Sequence, residues 1–201
     1  MQNNFTISKK NNSYVWLPVK TASSTLSWIL GHFDFSRSFI DGNNNVIMEN
    51  DILHFGHSTV HPPNSENLTF ICSMRNPYDR FFSFFKMTTK FSQKLITKEN
   101  FDIFFEEEMS KKSSLLQQSA NIFEKRKPDF LIRSENFYED LVKIPFIGNS
   151  KLNNCGILEE MCQKKIWKTV ELNIDDFIST EQKQQIYILF KEHFEIGGYS
   201  K

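Results

Sequence analysis

Tyr14-Val-Trp-Leu-Pro-Val-Lys-Thr-Ala-Ser-Ser-Thr-Leu-Ser-Trp-Ile-Leu30 reads as a strand, a tight polar turn and a helix, and that order decides the fold class. Tyr14 to Val19 is apolar, aromatic and β-branched, as a buried strand requires, and Pro18 marks where ladder pairing stops. The turn Lys20-Thr-Ala-Ser-Ser-Thr25 supplies small side chains, hydroxyls and one cation before Leu26, Trp28, Ile29 and Leu30 open an apolar helical face. The first amides of a helix lack internal partners, so an anion at this turn would gain N–H donors and the positive end of the dipole. Lys20 would add a point charge, and Ser23, Ser24 or Thr25 would add hydroxyl donors. An ordinary N-cap accounts for the same serines and threonines without any ligand. No Gly-x4-Gly-Lys-Ser/Thr loop occurs in the sequence.

A second unit of the same kind follows. Leu68-Thr-Phe-Ile-Cys-Ser-Met74 is the continuous apolar run expected inside a parallel sheet, and it delivers Arg75 to the strand's carboxyl end. Asn76-Pro77 then opens a helix whose Phe81, Phe82, Phe84 and Phe85 lie on its buried sides, with Ser83 among them. Open α/β sheets bind ligands outside the carboxyl ends of their strands, so the Lys20 and Arg75 turns face one crevice if their strands are neighbours. The plain structural alternatives are a salt bridge from Arg75 to Asp79 and a Ser83 hydroxyl bonded back to its own helix.

Composition limits the function classes. The 201 residues are enough for one α/β domain with a substantial core, which the 21 Phe can fill without polar partners. Lys plus Arg equals Asp plus Glu at 24 each, so no global field draws in nucleic acid or an anionic membrane. An anion site must therefore be local. Cys72, Cys155 and Cys162, in a sequence with no signal peptide and no membrane-spanning run, predict reduced thiols in a soluble, cytoplasmic protein.

Residues 1–13 are polar and read as a flexible N-terminal lead-in, with the domain at 14–201. Positions 31–50 read as a loop with a short hairpin around Asp41-Gly-Asn-Asn-Asn45. His54, His57 and His61 fall within eight residues, a density that belongs in a cleft or on a surface. No carboxylate or cysteine stands at a compelling ligand spacing, so no metal is expected there. Either these histidines are hydrogen-bonded in a loop, or one is a base, the task imidazole suits near neutral pH. Positions 98–109 and 113–125 read as helices, 130–133 as a strand, 136–143 and 181–194 as helices, and 148–156 as a loop over the crevice.

These motifs resemble the sulfotransferase superfamily that uses 3′-phosphoadenosine 5′-phosphosulfate (PAPS). Lys20-Thr-Ala-Ser-Ser-Thr25 is similar to the family's turn that holds the 5′-phosphosulfate, and Arg75-Asn-Pro-Tyr-Asp-Arg80 with Ser83 to the element that holds the 3′-phosphate. Phe130-Leu-Ile-Arg-Ser-Glu-Asn-Phe-Tyr-Glu-Asp-Leu141 and Phe190-Lys-Glu-His-Phe-Glu-Ile-Gly-Gly-Tyr199 resemble its later strand-helix unit and its terminal segment. His54-Phe-Gly-His57 is similar to the segment of carbohydrate-type members whose later histidine is the base. The chain departs from the pattern where Val19 precedes the lysine in place of proline and Ala22 stands where glycine is common. It also has no Arg-Lys-Gly element of the small-molecule branch.

The resemblance implies a single P-loop-like α/β domain with a central, mainly parallel β-sheet flanked by helices. It implies sulfuryl transfer from PAPS, releasing adenosine 3′,5′-bisphosphate, to a hydroxyl or amine of a glycan or small molecule. Lys20 and His57 would be catalytic; Lys20, Thr21, Ala22, Ser23, Ser24, Thr25, Arg75 and Ser83 would hold the nucleotide; His54 and Glu135 are secondary candidates. Glu135 is equally a partner for Arg133 or Arg80. The rival readings are a P-loop-like ATP-dependent small-molecule kinase and a catalytically silent nucleotide-binding module.

Overall fold

The computed structural model describes residues 4–40, 46–49, 61–111, 116, 119–120, 122–164 and 172–201. Six strands, β1 (Asn4–Ser8), β2 (Ser13–Trp16), β3 (Ser36–Ile40), β4 (Val46–Glu49), β5 (Thr69–Met74) and β6 (Phe130–Arg133), form one sheet in the order β4-β3-β1-β2-β5-β6. β2 pairs with β5 and β5 with β6 in parallel, with Trp16 opposite Cys72 and Met74 opposite Arg133. The pairings β1–β2, β1–β3 and β3–β4 are antiparallel. The fold is thus α/β, but the sheet is only partly parallel, where the sequence predicts one mainly so.

The difference begins in the first residues. Asn4–Ser8 is a strand and not a loose lead-in: it turns back through 9–12, with Asn12 at φ 47, and pairs with β2. Thr6 and Ser8 are buried on one face while Ile7 packs on the other against the Tyr14 and Trp16 cluster, so both faces of the strand are covered and the buried hydroxyls conceal it. The hairpin expected within 31–50 is present as β3 and β4, and the turn 41–45 between them lies outside the described residues.

Alternation along β2 and β5 builds two cores. Val15, Leu17 and Ile71 face a layer from α1 (Ser23–Gly31), α4 (Phe137–Leu141), α5 (Pro145–Gly148) and α7 (Ile157–Gln163), through Leu26, Ile29, Leu30, Leu141, Ile147 and Leu158. Tyr14, Trp16, Phe70, Cys72 and Met74 face the other way, against Ile122 and Phe123. Beyond them, α2 (Pro77–Phe91), α3 (Lys98–Ser110), α8 (Thr180–Leu189) and α9 (Lys191–Gly197) enclose Phe81, Phe82, Phe85, Phe101, Phe104, Phe105, Phe190 and Phe194. Much of the unusual phenylalanine content is therefore core, packed in tilted and edge-to-face pairs, arrangements that aromatic quadrupoles prefer to a face-to-face sandwich. Phe84 is half-buried beside this cluster.

Other expectations shift in detail. The helix expected over 181–194 breaks at Phe190 into α8 and α9. Within 113–125, much of which lies outside the described residues, the structure has a 3-10 turn at Ile122–Glu124. Positions 148–156 hold the short helix α6 (Lys151–Asn154) and do not cover the crevice. Of them, Ser150, Lys151 and Leu152 line a cavity of about 300 Å³ with Lys10, Asn11 and His32 at the opposite end of β2. Cys72, Cys155 and Cys162 are free thiols. No helix among the described residues is long and apolar enough to cross a membrane.

Candidate functional site

Because β2 and β5 are parallel neighbours, the chain leaves both at the same edge, so Lys20, four residues past Trp16, and Arg75, directly after Met74, meet there. The Lys20 ammonium is pushed below the usual lysine range, first by burial and then by the positive charges of Arg75 and Lys86. Arg75 forms no salt bridge among the described residues, so the alternative of a pairing with Asp79 is not made there. Several cations held together in a half-buried place are unfavourable in the free protein, and an anion between them relieves the repulsion.

The turn itself is strained in a directed way. Lys20 and Ala22 both occupy the left-handed region, at φ 65 and 59, on either side of Thr21. Such alternation turns successive N–H groups toward one concave side, the geometry of an anion nest. α1 begins immediately afterwards, with Leu26 N–H donating to Ala22 O at 3.0 Å as its first bond. Ala22 at the N-cap offers no side-chain acceptor, and the first turn holds no acidic residue. Among the described residues no acceptor takes the amides of Ser23, Ser24 and Thr25, which suits them to an external acceptor. By contrast α2, α3 and α8 are capped by Asn76, Thr97 and Ser179.

Ser24 is exposed and Thr25 half-buried, whereas Ser23 is largely covered. Thr21 is turned inward: its hydroxyl donates to Pro18 O at 2.8 Å and lies 2.6 Å from Ser73 Oγ on β5. Its side chain stitches two strands together and leaves only its backbone to a ligand. Ser83, on α2 two turns beyond Arg75, is buried. One turn further along the same face is Lys86, whose Nζ lies 5.0 Å over the Phe82 ring. The i+3 spacing from Ser83 was the sequence signal for Lys86, and a single lysine on a helix seldom draws notice.

Left-handed alanine carries a conformational cost of about 1–2 kcal/mol, while glycine gives back some of that through unfolded-state entropy. Ala22→Gly should therefore stabilise the ligand-free protein by about 0–1 kcal/mol, a rise of up to a few degrees in the melting temperature. A loss of stability in that variant would show that Ala22 is not held in the left-handed region.

Glu135 is already engaged. Its Oε1 accepts from Asn76 N–H at 2.9 Å and its Oε2 from Tyr199 Oη–H at 3.0 Å, joining the β5–α2 turn to the segment after β6 and the turn after α9. Neither arginine proposed for it pairs with it: Arg133 forks onto Asp140 at 2.8 and 2.9 Å, and Arg80 is buried elsewhere. Glu135 thus fixes the backbone beside Arg75.

Of the clustered histidines, His54 and His57 lie outside the described residues. His61 is structural. Its Nε2 lies 3.2 Å from Ile122 O, which can only accept, so Nδ1 is the nitrogen that accepts the Tyr14 hydroxyl at 2.8 Å. Burial lowers its pKa, and both ring nitrogens are occupied.

Comparison with family models, with curated proteins and with solved structures finds no match. The functional reading rests on the residues alone.

Proposed function

We propose that the chain is a PAPS-dependent sulfotransferase, built on a P-loop-like arrangement of the Lys20 turn and α1. The observation that carries the reading is the parallel pairing of β2 with β5, which sets Lys20 and Arg75 at one edge, with the helix start that follows Lys20 lacking a side-chain cap. The residues fit a nucleotide bearing phosphates at two ends. One end is served by the nest and the α1 amides, the other by an arginine fork and a buried serine at the start of α2.

PAPS supplies, when bound, the sulfuryl group and an anionic nucleotide as leaving group. Within the chain, the backbone N–H groups of 20–25 and the hydroxyls of Ser24 and Thr25 hold the 5′-phosphate, and Lys20 stabilises negative charge on the departing oxygen. Arg75 and Ser83 hold the 3′-phosphate, with Asn76 kept in place by Glu135. His57, or alternatively His54, removes the acceptor's proton. The acceptor is a hydroxyl or amine on a glycan or small molecule, oriented in line by the crevice.

The test is a thermal-shift titration with adenosine 3′,5′-bisphosphate, with ADP and magnesium as control and Arg75→Ala as second protein. At 100-fold excess over the dissociation constant, the 3′-phosphorylated nucleotide should add about 2.7 kcal/mol, or about 5–10 °C for a chain of this size. Arg75→Ala should lose most of that shift. Equal or better stabilisation by ADP with magnesium would replace this reading with a kinase. Binding without turnover, unchanged in His57→Ala, would leave a silent nucleotide-binding module.

A further inference from the structure

Arg80 is a buried cation for which the reaction scheme above has no use. It is only 2% exposed, yet among the described residues no carboxylate pairs with it. Its Nε donates to Val19 O at 2.9 Å, its Nη2 donates to Ser119 Oγ at 2.6 Å, and its guanidinium carbon lies 5.6 Å over the Phe190 ring. Two neutral acceptors do not need a full charge, and enclosing one without a counter-ion is costly. Burial pulls its pKa down to about 10, the direction expected of a cation lacking an anion.

The acceptor it has chosen is informative. Val19 O belongs to the peptide unit whose N–H is that of Lys20, the first left-handed residue of the turn. In a trans peptide the C=O and N–H point in opposite directions, so anchoring Val19 O to the buried guanidinium aims the Lys20 N–H away from the interior. Among the described residues no acceptor pairs with that N–H. Hydrogen bonding to a charged donor also polarises the peptide, which strengthens its N–H as a donor on the far side.

We propose that Arg80 is a positioning residue for the anion nest. By holding Val19 O it fixes the Val19–Lys20 peptide plane and presents the Lys20 N–H to the phosphate bound at the start of α1. The assignment of that phosphate to the 5′ end of a nucleotide rests on the sulfotransferase reading; the restraint on the turn does not.

Two measurements on Arg80→Met and Arg80→Lys decide it. In the ligand-free protein, amide exchange across 17–26 should accelerate in both variants while that of β6 stays as in the wild type. Binding of adenosine 5′-monophosphate and of adenosine 3′,5′-bisphosphate should weaken by one common factor, about tenfold or more in Arg80→Met. Arg75→Ala should weaken only the second nucleotide. A residue with a purely structural role would lower the melting temperature and leave both affinities unchanged, and that result would overturn the proposal, as would exchange at 17–26 equal to the wild type. If Arg80→Met does not fold, Arg80→Lys carries both measurements, since it keeps the charge but cannot reach both acceptors. Failure of the wild type to bind either nucleotide counts against the sulfotransferase reading, and the exchange data still decide the role of Arg80.

Discussion

Lys20→Met should lower the rate of nucleotide release from PAPS by about 10²–10³-fold, with a much smaller change in affinity for adenosine 3′,5′-bisphosphate. The substitution keeps the length of the side chain and removes its charge. The N–H groups of the turn, the α1 amides and Arg75 remain to bind the ground state, whereas the charge that builds on the departing oxygen loses its partner. The same ammonium sits in the positive field of Arg75 and Lys86, so its removal relieves repulsion in the free protein. Lys20→Met should accordingly melt no lower than the wild type. The measurement is the release of adenosine 3′,5′-bisphosphate from PAPS, with an acceptor or with water in its place, together with nucleotide affinity from thermal shifts. Equal losses in affinity and rate would make Lys20 a simple binding residue.

The second large effect is loss of stability in acid, governed by His193. This imidazole is 1% exposed, and its Nε2–H donates to Ser119 O at 2.8 Å. Burial, and after it the charge of Arg80, pushes its pKa down to about 3. In the unfolded chain it takes up a proton below pH about 6.5, while the folded protein refuses that proton until pH about 3. The unfolded state therefore binds one more proton throughout that window, and stability falls as pH drops through it, by about 1.4 kcal/mol per unit. The total approaches about 3–5 kcal/mol, a large part of the stability of an ordinary domain.

His193→Gln, which keeps a donor for Ser119 O, should flatten the curve between pH 6.5 and about 4. Urea unfolding at half-unit steps of pH measures this. An unchanged slope in that variant would assign the acid loss to other groups. Asp140 adds a separate loss at lower pH. Burial alone would raise its carboxyl, but hydrogen bonds from Arg133 and Lys143 outweigh that and hold it below the usual range. Its contribution thus disappears as pH falls below about 3.9, the unfolded value.

The two strand-turn-helix units were legible in sequence because each strand is a continuous apolar run and each turn carries helix-start chemistry, at Lys20 to Thr25 and at Asn76-Pro77. Their adjacency was conditional on strand order, which no local pattern encodes, and parallel pairing in the sheet supplied it. β1 was not legible, because its alternation, Phe5-Thr6-Ile7-Ser8, is short and puts the fully buried positions at the hydroxyls Thr6 and Ser8, the reverse of the apolar-in pattern. The same limit applies to Thr21, whose hydroxyl suits a phosphate in sequence and in the fold is spent on Pro18 O and Ser73. Glu135 looked like a partner for an arginine because carboxylates usually seek one. Its actual partners, a backbone amide and a phenol, come from segments distant in sequence.

The bonds that frame the crevice join residues far apart along the chain: Thr21 to Ser73 spans 52 positions, Asn76 to Glu135 spans 59, and Glu135 to Tyr199 spans 64. Each such closure costs chain entropy before any contact repays it, so these joints belong to the slow, late part of folding. The crevice therefore has no local precursor. A peptide carrying the Lys20 turn and the α1 sequence would lack β5 beneath it and Arg75 beside it. On refolding, anion affinity should return with the tertiary aromatic signal of the phenylalanine-rich core and lag behind the first recovery of helix.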